Sequence, residues 1–148
     1  MVDLSTYVTV GESIEIEKVV TDEEMKMFAT ITGDFDPLHI DDDYAKATQY
    51  GKRIAYGLMT LGLMSGPESD MSKRIIARNC PYKPVSLGYD KVRFIGPVFI
   101  EDVLTVTYTI ESLDSDRLRS IGDCLIKNQK GETVVVAKHI MKWLVVEG

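Results

Sequence analysis

This chain is short of most features that would commit it to a specialised class. Its 148 residues include two cysteines, five prolines and one tryptophan, and no apolar run is long enough to cross a bilayer. Cys80 and Cys124 lack the spacing of a zinc site, and a pair so far apart in sequence is expected to remain as free thiols of a reducing compartment. Basic residues are also scarce: 17 Lys and Arg against 23 Asp and Glu leave a net charge of −6. That balance argues against a nucleic acid or an anionic membrane as the main partner. The first residues, Met1-Val2-Asp3-Leu4-Ser5, are acidic and polar rather than basic and then apolar, so the expectation is a cytoplasmic protein without a signal peptide. There are no internal repeats, low-complexity segments or linkers. A chain of this length can bury roughly two thirds of its unfolded surface without a metal or disulfide staple, so one domain covering residues 1–148 is expected.

The most informative stretch is Gly33-Asp34-Phe35-Asp36-Pro37-Leu38-His39. Thr21-Asp22-Glu23-Glu24 has capping-box spacing and predicts a helix start, with Met25, Phe28, Ala29 and Thr32 on the buried side. Gly33 is placed to end that helix, and Pro37 restricts both itself and Asp36. Asp34 and His39 are therefore held on a short, stiff segment, where a carboxylate and an imidazole can share one water as an acid/base device. The plainer alternative is a turn-forming Asp and an exposed His, and these few residues alone leave it open.

Further along, Asp41-Asp42-Asp43 reads as the acidic first turn of a short helix, because the ligand spacing of a calcium loop is absent. No other stretch has metal-ligand spacing, so neither a metal nor a bound cofactor is expected. Ile54 to Ser65 is apolar on nearly every face and predicts a helix buried through the middle of the fold. Gly66 to Pro84, with three prolines, reads as the longest irregular stretch and the natural place for a substrate lid. Alternation of period two predicts a strand at Ser13–Val20 and four more at Val85–Phe94, Val103–Leu113, Arg117–Lys127 and Glu132–Val146. The expected fold class is α+β, one antiparallel sheet wrapped around the buried helix.

Three separated segments carry a family likeness: Phe28 to His39, Arg53 to Met59, and Val92-Arg93-Phe94-Ile95-Gly96-Pro97-Val98. On these the chain resembles the MaoC-like, (R)-specific enoyl-CoA hydratases of the hot-dog fold. The resemblance implies hydration of a trans-2-enoyl-CoA to the 3-hydroxyacyl-CoA, with Asp34 and His39 activating water and the Gly57 amide receiving the thioester oxygen. It further implies Ser65 beside the acyl pocket, coenzyme A carried on the substrate, and a homodimer or higher homo-oligomer. Two positions depart from the family pattern. Asp36 stands where Asn is usual, and Tyr56 where His is usual; both are candidate substrate contacts, and an ionised Asp only accepts where an Asn also donates. Lys91 and Arg93 are candidates for the coenzyme phosphates, with Lys52 and Arg53 as the alternative, whereas Lys73, Arg74 and Arg78 read as a solvated helix face. A hot-dog acyl-CoA thioesterase and a non-catalytic acyl-CoA-binding module remain the competing readings.

Overall fold

The period-two patterning in the second half of the chain is realised as long antiparallel strands. A computed structural model describes residues 2–147. A 3-10 turn at Leu4–Thr6 precedes β1 (Ser13–Val19), followed by α1 (Asp22–Thr32), α2 (Pro37–Ile40) and α3 (Asp42–Lys46). Then come α4 (Gly57–Gly62), α5 (Ser65–Ala77), β2 (Tyr82–Phe94), β3 (Val103–Asp114), β4 (Arg119–Lys127) and β5 (Thr133–Val145). The strands form one sheet in the order β1-β3-β4-β5-β2, every neighbouring pair antiparallel.

Alternate residues of the central strands face inward. Leu104, Val106, Tyr108 and Ile110 of β3 and Ala137, His139, Met141 and Trp143 of β5 are all buried on one face, and Met64, Met71 and Ile75 of the helical segment are buried with them. Burying a side chain of this size contributes roughly 1.5–3 kcal/mol, so the sheet-on-helix contact stabilises the fold substantially.

Two expectations are corrected. The helical segment begins at Gly57 rather than Ile54, which instead forms an isolated bridge with Phe99. Nor is it buried all round, since Leu58 is 64% exposed. The stretch from Gly66 is not an irregular lid: α5 runs to Ala77, and β2 starts at Tyr82 and includes Pro84. Gly66 and Pro67 suggested a break, but both lie in the first turn of α5, where a proline forfeits no intrahelical hydrogen bond. α4 and α5 are joined by one tightened turn, in which the Leu63 and Met64 amides bond to Thr60 and Leu61 three residues back.

Candidate active site

The Asp/His segment is positioned from its backbone upward. Thr21 caps α1 by accepting from the Glu24 amide, whereas the Glu24 carboxylate turns to Lys18 instead of closing the reciprocal half of the capping box. At the other end Gly33 takes φ 75°, a left-handed conformation that turns the chain out of the helix. Thr32 is exposed rather than buried. Its hydroxyl donates to the Phe28 carbonyl at 2.7 Å and accepts the Asp34 amide at 3.1 Å. The Asp34 carboxylate accepts the Asp36 amide at 3.1 Å, and the Asp36 carboxylate accepts the Leu38 amide at 2.9 Å. Asp36 is thus the N-cap of α2, with Pro37 in the first turn. A cap needs only an acceptor, which both Asp and Asn provide, so the departure at this position leaves the local fold intact.

His39 rides on α2 and is oriented by backbone. Its Nδ1 lies 2.8 Å from the Ile54 carbonyl oxygen. A carbonyl can only accept, so Nδ1 carries a proton and donates, which leaves Nε2 as the nitrogen free to face the cavity. The Ile54 carbonyl is itself anchored by the Ile54–Phe99 bridge and by the Ala55 amide donating to Val98 at 2.6 Å.

Tyr56 joins the two halves of the motif. Its hydroxyl donates to the Asp34 carbonyl at 2.7 Å, and its ring stacks on His39 at a centroid distance of 4.1 Å and on Phe28 at 4.6 Å. Burial raises the Tyr56 pKa, and the nearby charges of Asp34 and Asp36 raise it further, so the phenol stays protonated and remains a donor. The side chain is 2% exposed.

A cavity of about 250 Å³ brings His39 together with Gly57, Thr60 and the Phe94–Val98 strand end. Gly57 opens α4, where the first amides have no intrahelical partner and favour negative charge. A Cβ at Gly57 would stand 2.8 Å from the Phe94 ring, so the close approach of ring to helix requires glycine there.

The remaining expected site residues are dispersed. Asp34 is exposed and does not line this cavity; it reaches the site through Tyr56. Ser65 lines a different cavity, between α5 and β2. Lys91, at φ 53° in an irregular stretch of β2, and Arg93, whose guanidinium bonds the Val92 carbonyl, are both exposed and lie outside the His39 cavity, although Phe94 beside them lines it. Arg53 is not free for a phosphate, being paired with Asp22 at 2.9 Å and Asp42 at 2.7 Å, while the Lys52 ammonium sits 4.4 Å from the Phe99 ring centroid. Arg74 and Arg78 grip Glu12 and hold its pKa down at about 2. Cys80 and Cys124 are free thiols.

Among the described residues no three His, Cys, Asp or Glu side chains gather as a metal-binding group, and no helix is long and apolar enough to cross a membrane. Glu68 and His139, both buried, ionisable and lining one cavity, went unread in the sequence. The signal was parity: His139 falls in register with the inward residues of β5, and Glu68 lies four residues after Met64 on the buried face of the helix.

Comparison with known proteins decides the family. The model of the MaoC like domain matches residues 7–131. This chain belongs to the MaoC-like dehydratase family. Over 134 residues it is 27% identical to the (R)-specific enoyl-CoA hydratase of Aeromonas caviae, covering 90% of this chain and 93% of that one. It is 29% identical over 133 residues to the 3-hydroxybutyryl-CoA dehydratase of Methylorubrum extorquens, covering 85% and 78% respectively. The solved structure of the (R)-hydratase from A. caviae involved in PHA biosynthesis superposes with a TM-score of 0.77 at 26% identity, covering 91% of this chain and 96% of that one. The architecture of this MaoC-like chain is the hot-dog fold.

Proposed function

We propose that this protein adds water reversibly across the double bond of a trans-2-enoyl-CoA to give the (R)-3-hydroxyacyl-CoA. The observation that carries the reading is the convergence of His39, its Nδ1–H held by the Ile54 carbonyl, and the first residue of α4 on one cavity, with Asp34 tied to the same ring stack through Tyr56. Hydratases and dehydratases of thioesters among the relatives support it.

In the proposed reaction a water is held between Asp34 and His39. One of its protons passes to the pair as its oxygen bonds to C3, and the displaced electron pair moves to the thioester oxygen. The Gly57 amide receives that developing oxyanion at the start of a helix, where unpaired donors stabilise negative charge. The pair then returns the proton to C2, so atoms and charge balance and no metal or other cofactor is called on. Both additions come from one side of the substrate, which gives a single stereochemical outcome. Lys91 and Arg93 are assigned to the coenzyme phosphates.

The chain is further proposed to act as a homodimer in the cytoplasm. The sheet leaves β1 and β2 as unpaired edges, a liability that pairing between two copies removes. The decisive assay follows loss of the conjugated-enoyl absorbance with crotonyl-CoA, in the presence of chelator, alongside a thiol assay. Hydration without thiol release is expected; thiol release with no hydrated product would replace this reading by thioester hydrolysis.

A further inference from the structure

The second cavity, about 460 Å³, opens between α5 and β2, further along the helical segment from Gly57. Ile76, Val85 and Met141 give it apolar walls, and Ser65 lines it. One part of its lining is polar and deeply buried. The Glu68 side chain, 11% exposed, accepts from the Tyr89 hydroxyl on one oxygen, and its other oxygen lies 3.3 Å from His139 Nε2. His139 is 0% exposed, with Nδ1 2.9 Å from the Tyr108 hydroxyl and Nε2 2.8 Å from Ser86 Oγ.

The protons in this cluster can be assigned. Burial holds the His139 pKa down at about 4, so near neutral pH the ring is neutral and carries one N–H. The Tyr108 phenol, its own pKa raised by burial, keeps its proton and donates to Nδ1. Nε2–H therefore donates to Ser86 Oγ with the Glu68 carboxyl beside it. Ser86 is left with its own hydroxyl proton to offer the cavity, and Glu68, whose pKa burial pushes up to about 7, can present either a lone pair or a proton.

This is not a nucleophile-activating triad. There the carboxylate would hold Nδ1 while the serine faced Nε2, whereas here both crowd Nε2 and the ring is too weak a base. An ion pair is equally absent, because neutral His139 offers no positive charge. The buried polar atoms of the cluster already have hydrogen-bond partners, so their burial is tolerated, and the cavity opens on them.

The family resemblance puts the acyl pocket beside Ser65, which lines this cavity; we propose that Ser86, Glu68 and His139 make it select a chain ending in an uncharged, hydrogen-bonding oxygen function, above all a hydroxyl. The inference rests on the enoyl-CoA reading and deepens it. Ser65 lies eight residues past Gly57, ~12 Å along a helical axis, within the reach of a medium-length acyl chain. A terminal carboxylate is disfavoured because it would confront Glu68 at the buried end of the cavity: of the two lysines in the lining, Lys83 already donates to Ser72 Oγ at 2.7 Å and to the Pro84 carbonyl at 2.9 Å, and the Lys73 side chain is 75% exposed, its ammonium 3.7 Å from Asp70.

The test separates binding from turnover. Calorimetry with three saturated thioesters, decanoyl-CoA, 10-hydroxydecanoyl-CoA and the mono-CoA thioester of decanedioic acid, reads the cavity whether or not the protein is a hydratase. The wild type should bind the hydroxy form at least ~10-fold more tightly than the alkyl form, the preference a site built around a hydroxyl shows. Ser86→Ala, at an exposed position, and Glu68→Leu, which removes both the lone pair and the proton, should each bring that ratio close to one. Equal or tighter binding of the alkyl or carboxylate form, or a hydroxyl preference that survives Ser86→Ala, would overturn the proposal. Turnover of crotonyl-CoA by the wild type, measured in parallel, reports separately on the hydratase reading.

Discussion

Replacing Tyr56 by Phe removes one hydroxyl and leaves the ring stack on His39 and Phe28 in place. What is lost is the 2.7 Å hydrogen bond to the Asp34 carbonyl. A net hydrogen bond contributes about 0.5–1.5 kcal/mol, and because Asp34 is exposed its carbonyl can be rehydrated, which places the loss near 1 kcal/mol or below. For a domain of this size that corresponds to a fall in Tm of roughly 2–4 °C. The effect on catalysis should be larger than the effect on stability. The bond is the direct tie between the Asp34 backbone and the ring that stacks on His39, and a misplacement of about 1 Å at reacting groups can cost on the order of 100-fold. We expect kcat to fall by about 10- to 100-fold with KM changed less than about 3-fold, and Tyr56→Leu, which also loses the stack, to fall further. Steady-state kinetics on crotonyl-CoA with thermal unfolding of the same preparations checks both parts. A Tyr56→Phe protein with wild-type kcat would show that this hydroxyl does not position Asp34, whatever its stability.

Gly57→Ala keeps the amide but drives a methyl into the Phe94 ring, so it should lower activity at least about 10-fold, and Phe94→Ala in the same chain should restore a large part of it; no rescue would move the defect away from this contact. Replacing Lys91 and Arg93 together by Ala should raise KM more than it lowers kcat, since phosphate contacts are alike in ground and transition states; an unchanged KM would take the coenzyme site elsewhere. Glu68 has a folded pKa near 7, above the ordinary 4.5, so its protonated form favours the fold, the advantage is complete below about pH 4.5, and it is lost as pH rises to 7. Wild type measured against Glu68→Gln by denaturant unfolding should therefore lose relative stability over that window, by on the order of 3 kcal/mol at most. A difference that is flat with pH would mean that Glu68 ionises as freely in the fold as outside it.

The parts of the fold that announced themselves did so through local chemistry. Thr21 and Gly33 bound α1 because capping and left-handed φ are short-range requirements, and the alternation from Val85 onward registers a sheet with one buried face. α5 was hidden because Gly66 and Pro67, which elsewhere interrupt helices, are harmless in a first turn. At the candidate site, Asp34 and His39 stood out in the sequence through motif and spacing, and Gly57 through the resemblance. The tasks of Asp36 and Tyr56 were not, since capping α2 and bridging Asp34 to His39 depend on contacts that form only in the fold. His139 and Glu68 are the converse case: ordinary polar letters in the sequence, made unusual by the faces on which strand and helix periodicity put them.

The central claim is that Asp34 and His39 act together on one water, and the measurement that tests it most directly is kcat for crotonyl-CoA hydration in Asp34→Asn, His39→Gln and the double variant. Each single variant should fall by on the order of 10²–10⁴, the usual worth of a positioned proton-transfer group, and the double should be little worse than either. Near-wild-type turnover in either single variant, or losses that multiply in the double, would contradict it.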